Sequence, residues 1–186
     1  DFTVKSIQQS TPFANASNTI TVTLTSNYDL PDGSTVTISG LTGSQTSDST
    51  SLSVTSSNGD LGTTGAWTQS SGQLVLTAAS GGTTAGTACE VSFALTNTGS
   101  TQTSPAVSVL AVIDGGSGTT VANIAEVAMD KPNSDLFGVS NGSNPLEVLV
   151  PAFSIRSIRQ STPGSGEANT LTVTLTANYD MAVGST

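Results

Sequence analysis

The segment FTVKSIQQSTPFANASNTITVTLTSNYDLPDGST at residues 2–35 returns at residues 153–186 as FSIRSIRQSTPGSGEANTLTVTLTANYDMAVGST, offset by 151 residues, without a gap and with 20 of 34 positions identical. In a chain with a fixed period, the unit that was duplicated is the unit that folds. No motif recurs near the middle of this period, so residues 1–151 are expected to form one β-sandwich repeat rather than two smaller halves. Residues 152–186 then hold the opening strands of a second repeat. So few strands cannot bury a core of their own. They are therefore read as a linking segment between repeats or between subunits.

Period-two alternation of apolar residues marks the strands. Ile20, Val22 and Leu24 alternate with Thr19, Thr21, Thr23 and Thr25, and Leu171, Val173 and Leu175 repeat the pattern. The same rhythm runs through Val36/Ile38, Leu52/Val54, Leu74/Leu76, Val91/Phe93/Leu95, Val107/Val109/Ala111/Ile113 and Leu146/Val148/Val150. Turns rich in Gly, Asn and Ser separate them, among them residues 57–60, 80–82, 114–118 and 141–145. Phe2 and Val4 share a parity that Ile7 breaks, and Phe153, Ile155 and Ile158 repeat the break, which predicts a bulge or a switch between sheets. Residues 121–129 lack Ser, Thr, Gly and Pro; they are read as a strand, although Val121, Ile124 and Ala128 also fit a helical stripe. Eight or nine short strands with Thr on the wet face predict an all-β fold, an antiparallel immunoglobulin-like β-sandwich.

Composition removes several functions. Ser and Thr fill 60 of the 186 positions, His is absent, and 4 Lys plus Arg stand against 13 Asp plus Glu. Scattered basic residues do not make the cationic surface that phosphate backbones and anionic lipids require, so neither nucleic acid nor a membrane surface is expected as a partner. No apolar run approaches the roughly 18 residues of a membrane helix, so no membrane insertion is expected. Without His there is no Ser-His or Cys-His nucleophile pair and no imidazole metal ligand. The carboxylates Asp48, Asp60, Asp114, Glu126, Asp130 and Glu147 are scattered, and the sequence pairs no two as a glycosidase acid and nucleophile. The expectation is a protein that is not an enzyme and carries no cofactor. The lone Cys89 excludes an intrachain disulfide, and its parity with Val91, Phe93 and Leu95 places the thiol inside. The first residues carry neither Met nor a signal-peptide pattern, so the chain is read as a mature product or a piece of something longer.

Four motifs invite a chemical reading. Gly138-Val139-Ser140-Asn141-Gly142 matches a nucleophile elbow, but with no His and no helix following, it reads as a polar loop. Asn15-Ala16-Ser17 and Asn141-Gly142-Ser143 are N-glycosylation sequons in loops, making Asn15 and Asn141 candidate glycan sites. Ser10-Thr11-Pro12 recurs as Ser161-Thr162-Pro163, so Thr11, Pro12, Thr162 and Pro163 are candidate sites for O-linked or hydroxyproline-linked sugar; the bland reading is a strand end stopped by Pro. Asn27-Tyr28-Asp29 with Asp32 could form a calcium loop. The second copy, however, has Val183 in place of Asp32, and an Asx turn with Tyr as a lid on the core fits both copies better. Trp67, in a polar stretch, is either a sugar-stacking platform or a cover for one end of the sandwich.

The run TVTLTSNYDLPDGSTVTISGLTGSQT at residues 21–46 resembles the tandem NYDLPxGSTVTISGL-type repeats of large secreted surface or filament proteins of unicellular algae and related protists. The resemblance implies an extracellular, repetitive, glycosylated component and supplies no catalytic residues. The expected function is a structural subunit of a filament or coat, whose partners are copies of itself and covalent glycans. The alternative is an adhesin or carbohydrate-binding module. Phe153, Ile155, Ile158, Leu171, Val173 and Leu175 are the expected inter-subunit strand residues, joining units head to tail by β-strand addition.

Overall fold

A computed structural model of the chain describes residues 1–116 and 118–181. The alternating Thr/apolar segments become strands because branched side chains fit a pleated surface with one wet face. The strands are β1 (Phe2–Gln9), β2 (Ser17–Ser26), β3 (Thr35–Ser39), β4 (Ser49–Ser56), β5 (Thr64–Thr68), β6 (Gln73–Thr77), β7 (Cys89–Thr96), β8 (Ser108–Asp114), β9 (Thr120–Ala128), β10 (Phe153–Gln160) and β11 (Leu171–Ala177). Among the described residues the only helical element is the 3-10 turn Ser57–Gly59.

The first nine strands pair antiparallel in the order β1-β2-β7-β4-β5-β6-β3-β8-β9. β4 belongs to both layers of this sandwich: its Ser49–Ser53 half pairs with β5, and Val54–Ser56 pairs with β7. The open edge of β1 is closed by the chain just after β9. Ile7 N–H donates to Asp130 O at 3.0 Å, Asp130 N–H donates to Lys5 O at 2.9 Å, and Lys5 Nζ meets Asp130 Oδ2 at 2.9 Å. The sheet thus wraps almost into a barrel, which leaves little unpaired edge. Its interior is one cluster of buried side chains running from Phe2 to Leu146 and including Ile20, Val22, Ile38, Trp67, Leu76, Phe93 and Ile113.

The bulge expected in the first strand is present: the β1–β2 register shifts between Phe2 and Val4. Its consequence differs in one respect from the parity reading, because Phe2 and Ile7 both point inward while Val4 faces solvent. Residues 121–128 are strand, within β9, with Ile124 inward, and Met129 follows its end. Residues 146–150 do not form the expected strand. Leu146 takes a left-handed φ of +55°, and the segment makes only isolated bridges, Val148 to Gln102 and Leu149 to Phe13. Leu146 and Val148 are nonetheless buried, so the apolar rhythm recorded burial rather than a ladder. β5 escaped the sequence reading because Gly65, not an apolar side chain, occupies its inward position beside Trp67; a Cβ there would lie 2.7 Å from Leu74 Cδ1.

Among the described residues β10 and β11 pair only with each other, as a separate hairpin, and repeat the β1–β2 pairing with its bulge, here between Phe153 and Ile155.

Candidate inter-repeat interface

On β2 the side chains that share a face with Ile20, Val22 and Leu24 include Asn18, and on β1 Gln9 shares a face with Ile7. Both polar side chains are buried, along with Asn97, and burial of amides demands partners. Asn18 Nδ2 donates to Gln9 Oε1 at 2.7 Å and to Asn97 Oδ1 at 2.8 Å, while Asn18 Oδ1 accepts from Ser10 N–H at 3.1 Å and Thr11 N–H at 3.3 Å. Gln9 Nε2 reaches Gly142 O and Glu147 O, and Gln9 Oε1 accepts Leu146 N–H, all at 2.8 Å. Asn97 Nδ2 donates to Thr11 O and Phe13 O. The network ties the β1–β2 turn to the end of β7 and to residues 142–147, near the C-terminal end of the repeat.

The hairpin β10–β11 carries the local half of this network. Asn169 Nδ2 donates to Gln160 Oε1 at 2.9 Å, and Asn169 Oδ1 accepts from Ser161 N–H and Thr162 N–H, both at 3.2 Å. The partners that Asn97 and residues 142–147 supply in the first copy have no counterpart beside it among the described residues. Its apolar face is equally incomplete. Phe153, Ile158, Leu171, Val173 and Leu175 are 39–67% exposed, whereas Phe2, Ile7, Ile20, Val22 and Leu24, one offset earlier, are at most 7% exposed. Ile155 does not belong with them: its counterpart Val4 also faces solvent, because the bulge turns that residue outward.

The base of the hairpin, at residues 178–180 just after β11, meets the first copy. Tyr179 packs edge-on against Phe13 with ring centroids 5.2 Å apart, and Phe13 lies against Phe137 at 5.5 Å. Asp180 N–H donates to Phe137 O at 2.7 Å, and Asn178 Nδ2 donates to Val150 O at 3.1 Å. The elbow-like motif at residues 138–142 has a structural job here. Gly138 sits at φ +71°, and a Cβ on it would come within 2.7 Å of Asp180 Cγ, so only glycine admits both the turn and the segment docked on it. Ser140 is exposed in this turn.

The remaining candidates are placed as follows. Asn15 and Asn141 are exposed, both in the left-handed region, and Asn15 Oδ1 accepts from Gln45 Nε2 at 2.9 Å. Thr11 is half-buried and Pro12 is buried, so a sugar on the Pro12 ring would require the loop to open; Thr162 is half-buried and Pro163 exposed. Trp67 is buried and its Nε1–H donates to Thr46 O at 2.9 Å, so its indole is core and not a stacking surface. Tyr28 is no lid: it is 52% exposed. Asp29 Oδ1 accepts from Ala85 N–H at 2.7 Å, tying its loop to a distant one. Val183, Gly184, Ser185 and Thr186 lie outside the described residues. No group of three or more His, Cys, Asp or Glu converges among the described residues. Cys89 is buried, and its thiol pKa is raised by burial, with Ser57 hydrogen bonding opposing and Asp60 adding to the rise. Lys131 donates to Ser104 O, Ser104 Oγ and Pro105 O; burial lowers its pKa and the Glu147 charge opposes this.

The signal for the polar network was available in the sequence, as an Asn in phase with three core residues and repeated at Asn169. The aromatic socket carried no such signal, since Gly164 replaces Phe13 in the second copy. No protein-family model matches the chain, and neither a curated protein nor a solved structure matches it.

Proposed function

We propose that the chain is a structural subunit of an extracellular, glycosylated filament or coat. In this reading residues 1–151 are an immunoglobulin-like sandwich repeat, and residues 152–186 are the opening strands of the next, linking unit to unit. The observation that carries it is the hairpin β10–β11: a hairpin with half of a polar network already made and an apolar face that its own counterpart buries completely. Burial of a large aliphatic or aromatic side chain contributes roughly 1.5–3 kcal/mol, and about half of that remains to be gained at each of the five positions, some 4–8 kcal/mol in all.

In the first copy the outer edge of β2 pairs with β7, with Ile20 opposite Phe93, Val22 opposite Val91 and Leu24 opposite Cys89. In this reading the free β11 edge takes a β7-type strand that is not already paired with a β2-type strand of its own, since β7 of the first copy lies between β2 and β4; the same register would set Leu171, Val173 and Leu175 opposite its equivalents of Phe93, Val91 and Cys89. Strand addition of this kind joins unlike surfaces and so propagates into an open polymer. Sugar on Asn15 and Asn141 suits a surface so poor in charge, because bulk then replaces repulsion in keeping side faces apart.

The test uses the full chain and its Val173→Asp variant, followed by light scattering and electron microscopy at rising concentration. Filaments or large assemblies from the parent and none from the variant, with the thermal unfolding of the nine-stranded unit unchanged, is the expected result. Equal assembly by both removes the linking role.

A further inference from the structure

Tyr179 packs on Phe13 of the aromatic pair Phe13–Phe137, and its counterpart Tyr28 stands exposed on a segment anchored by the same Asn hydrogen bonds. Asn178 N–H donates to Ala152 O at 3.0 Å and Ala152 N–H donates to Asn178 Oδ1 at 2.8 Å. In the first copy Asn27 N–H donates to Asp1 O at 2.9 Å, and the Asp1 ammonium donates to Asn27 Oδ1 at 2.6 Å. The Asn-Tyr-Asp segment is therefore anchored alike in both copies through its Asn; in the first copy Asp29 Oδ1 also accepts from Ala85 N–H and Tyr28 O from Ser26 Oγ–H, and in the second the segment lies against Phe13. Asn178 and Tyr179 are half-buried there, whereas Asn27 and Tyr28 are exposed.

We propose that Asn27-Tyr28-Asp29 is a docking surface for a second copy of this repeat placed before the first, which presents its own Phe13, Phe137 and Gly138. The inference deepens the filament reading and rests on it: strand addition completes a core, while this joint sets the direction in which the next unit points. Three features make it a defined joint and not a flexible tether. The tyrosine ring is held edge-on at 5.2 Å from Phe13, the main chain is bonded at Phe137 O, and the Gly138 turn leaves no room for a side chain beneath Asp180. Because Gly164 stands where Phe13 does, the socket of the second copy lacks this ring, and successive joints along a longer array are not all equivalent.

The experiment joins residues 1–151 to the N-terminus of the full chain, so that Asp1 of the downstream part follows Pro151 as Ala152 does. Hydroxyl-radical footprinting with mass spectrometry then reads the oxidation of downstream Tyr28, with Tyr179 in the same molecule as the internal standard for a docked tyrosine. Oxidation of Tyr28 several-fold lower than in the 186-residue chain, and close to that of Tyr179, is expected. Phe13→Ala in the upstream copy should restore it. Unchanged oxidation of Tyr28, or protection that survives Phe13→Ala, overturns the proposal. Neither outcome depends on the β11 edge, so failure of the joint and failure of strand addition, read by Val173→Asp, are distinguished.

Discussion

Asn18→Ala and Asn169→Ala make the same chemical change at equivalent positions, and the structure assigns them very different costs. Removing the Asn18 amide leaves Ser10 N–H with Thr19 O at 3.0 Å and Gln9 Oε1 with Leu146 N–H at 2.8 Å. Asn97 Oδ1 and Thr11 N–H lose the partner they have among the described residues. A buried polar group left unsatisfied costs about 1–3 kcal/mol, so Asn18→Ala should destabilise the nine-stranded unit by about 2–5 kcal/mol. Asn169 lies in a hairpin open to water, where its partners exchange to solvent, and its loss should change that unit by less than about 0.5 kcal/mol. Trp67, the single Trp of the chain and buried in the nine-stranded unit, reports on that unit alone. Urea unfolding followed by its fluorescence, with the slope unchanged, converts the midpoint shift into the free-energy difference. Equal shifts for the two variants, or a cost below about 1 kcal/mol for Asn18→Ala, would refute the reasoning that the network is paired and buried in one copy and incomplete in the other.

Three further outcomes follow from the same geometry. Cys89 keeps its proton in the folded state above about pH 8.5, where the unfolded thiol releases its own. Stability should therefore fall as pH rises from there through the folded value, and urea midpoints at pH 7 and about pH 9.5 should show a drop that Cys89→Ala loses. Gly138→Ala forces a side chain into a left-handed turn and against Asp180, costing about 1 kcal/mol or more and releasing residues 178–180, which footprinting reads as increased Tyr179 oxidation. Intact-mass measurement of the protein from its native source should exceed the polypeptide mass, and enzymatic removal of N-glycans should convert Asn15 and Asn141 to Asp; a mass equal to the polypeptide contradicts glycosylation.

Much of the sandwich was legible because its central strands alternate strictly: β2, β7 and β8 each place an apolar side chain inward at every second residue along most of their length. Where the inward residue is glycine, as at Gly65, the rhythm vanishes and the strand is missed. Where a buried apolar stretch bends through Leu146 at positive φ, the rhythm persists without a strand. The bulge between Phe2 and Val4 is visible as a parity break, yet which residue it turns outward depends on the pairing with β2, so the sequence alone does not separate Ile155 from Phe153 and Ile158. The contact of residues 178–180 with the sandwich was the least legible part. Phe13 is distant in sequence from Phe137 and Gly138, and only the contact with Tyr179 and Asp180 brings their roles together.

Amide hydrogen exchange across β11 tests the central claim most directly, because a strand that gains a neighbour must protect the N–H groups along its free edge. Dispersed at low concentration, the chain should exchange at Leu171–Ala177 far faster than at the equivalent residues 20–26 of β2. In assembled material the account predicts protection of Leu171–Ala177 rising to the level of β2. Exchange across β11 that stays as fast in the assembly as in the dispersed chain would contradict it.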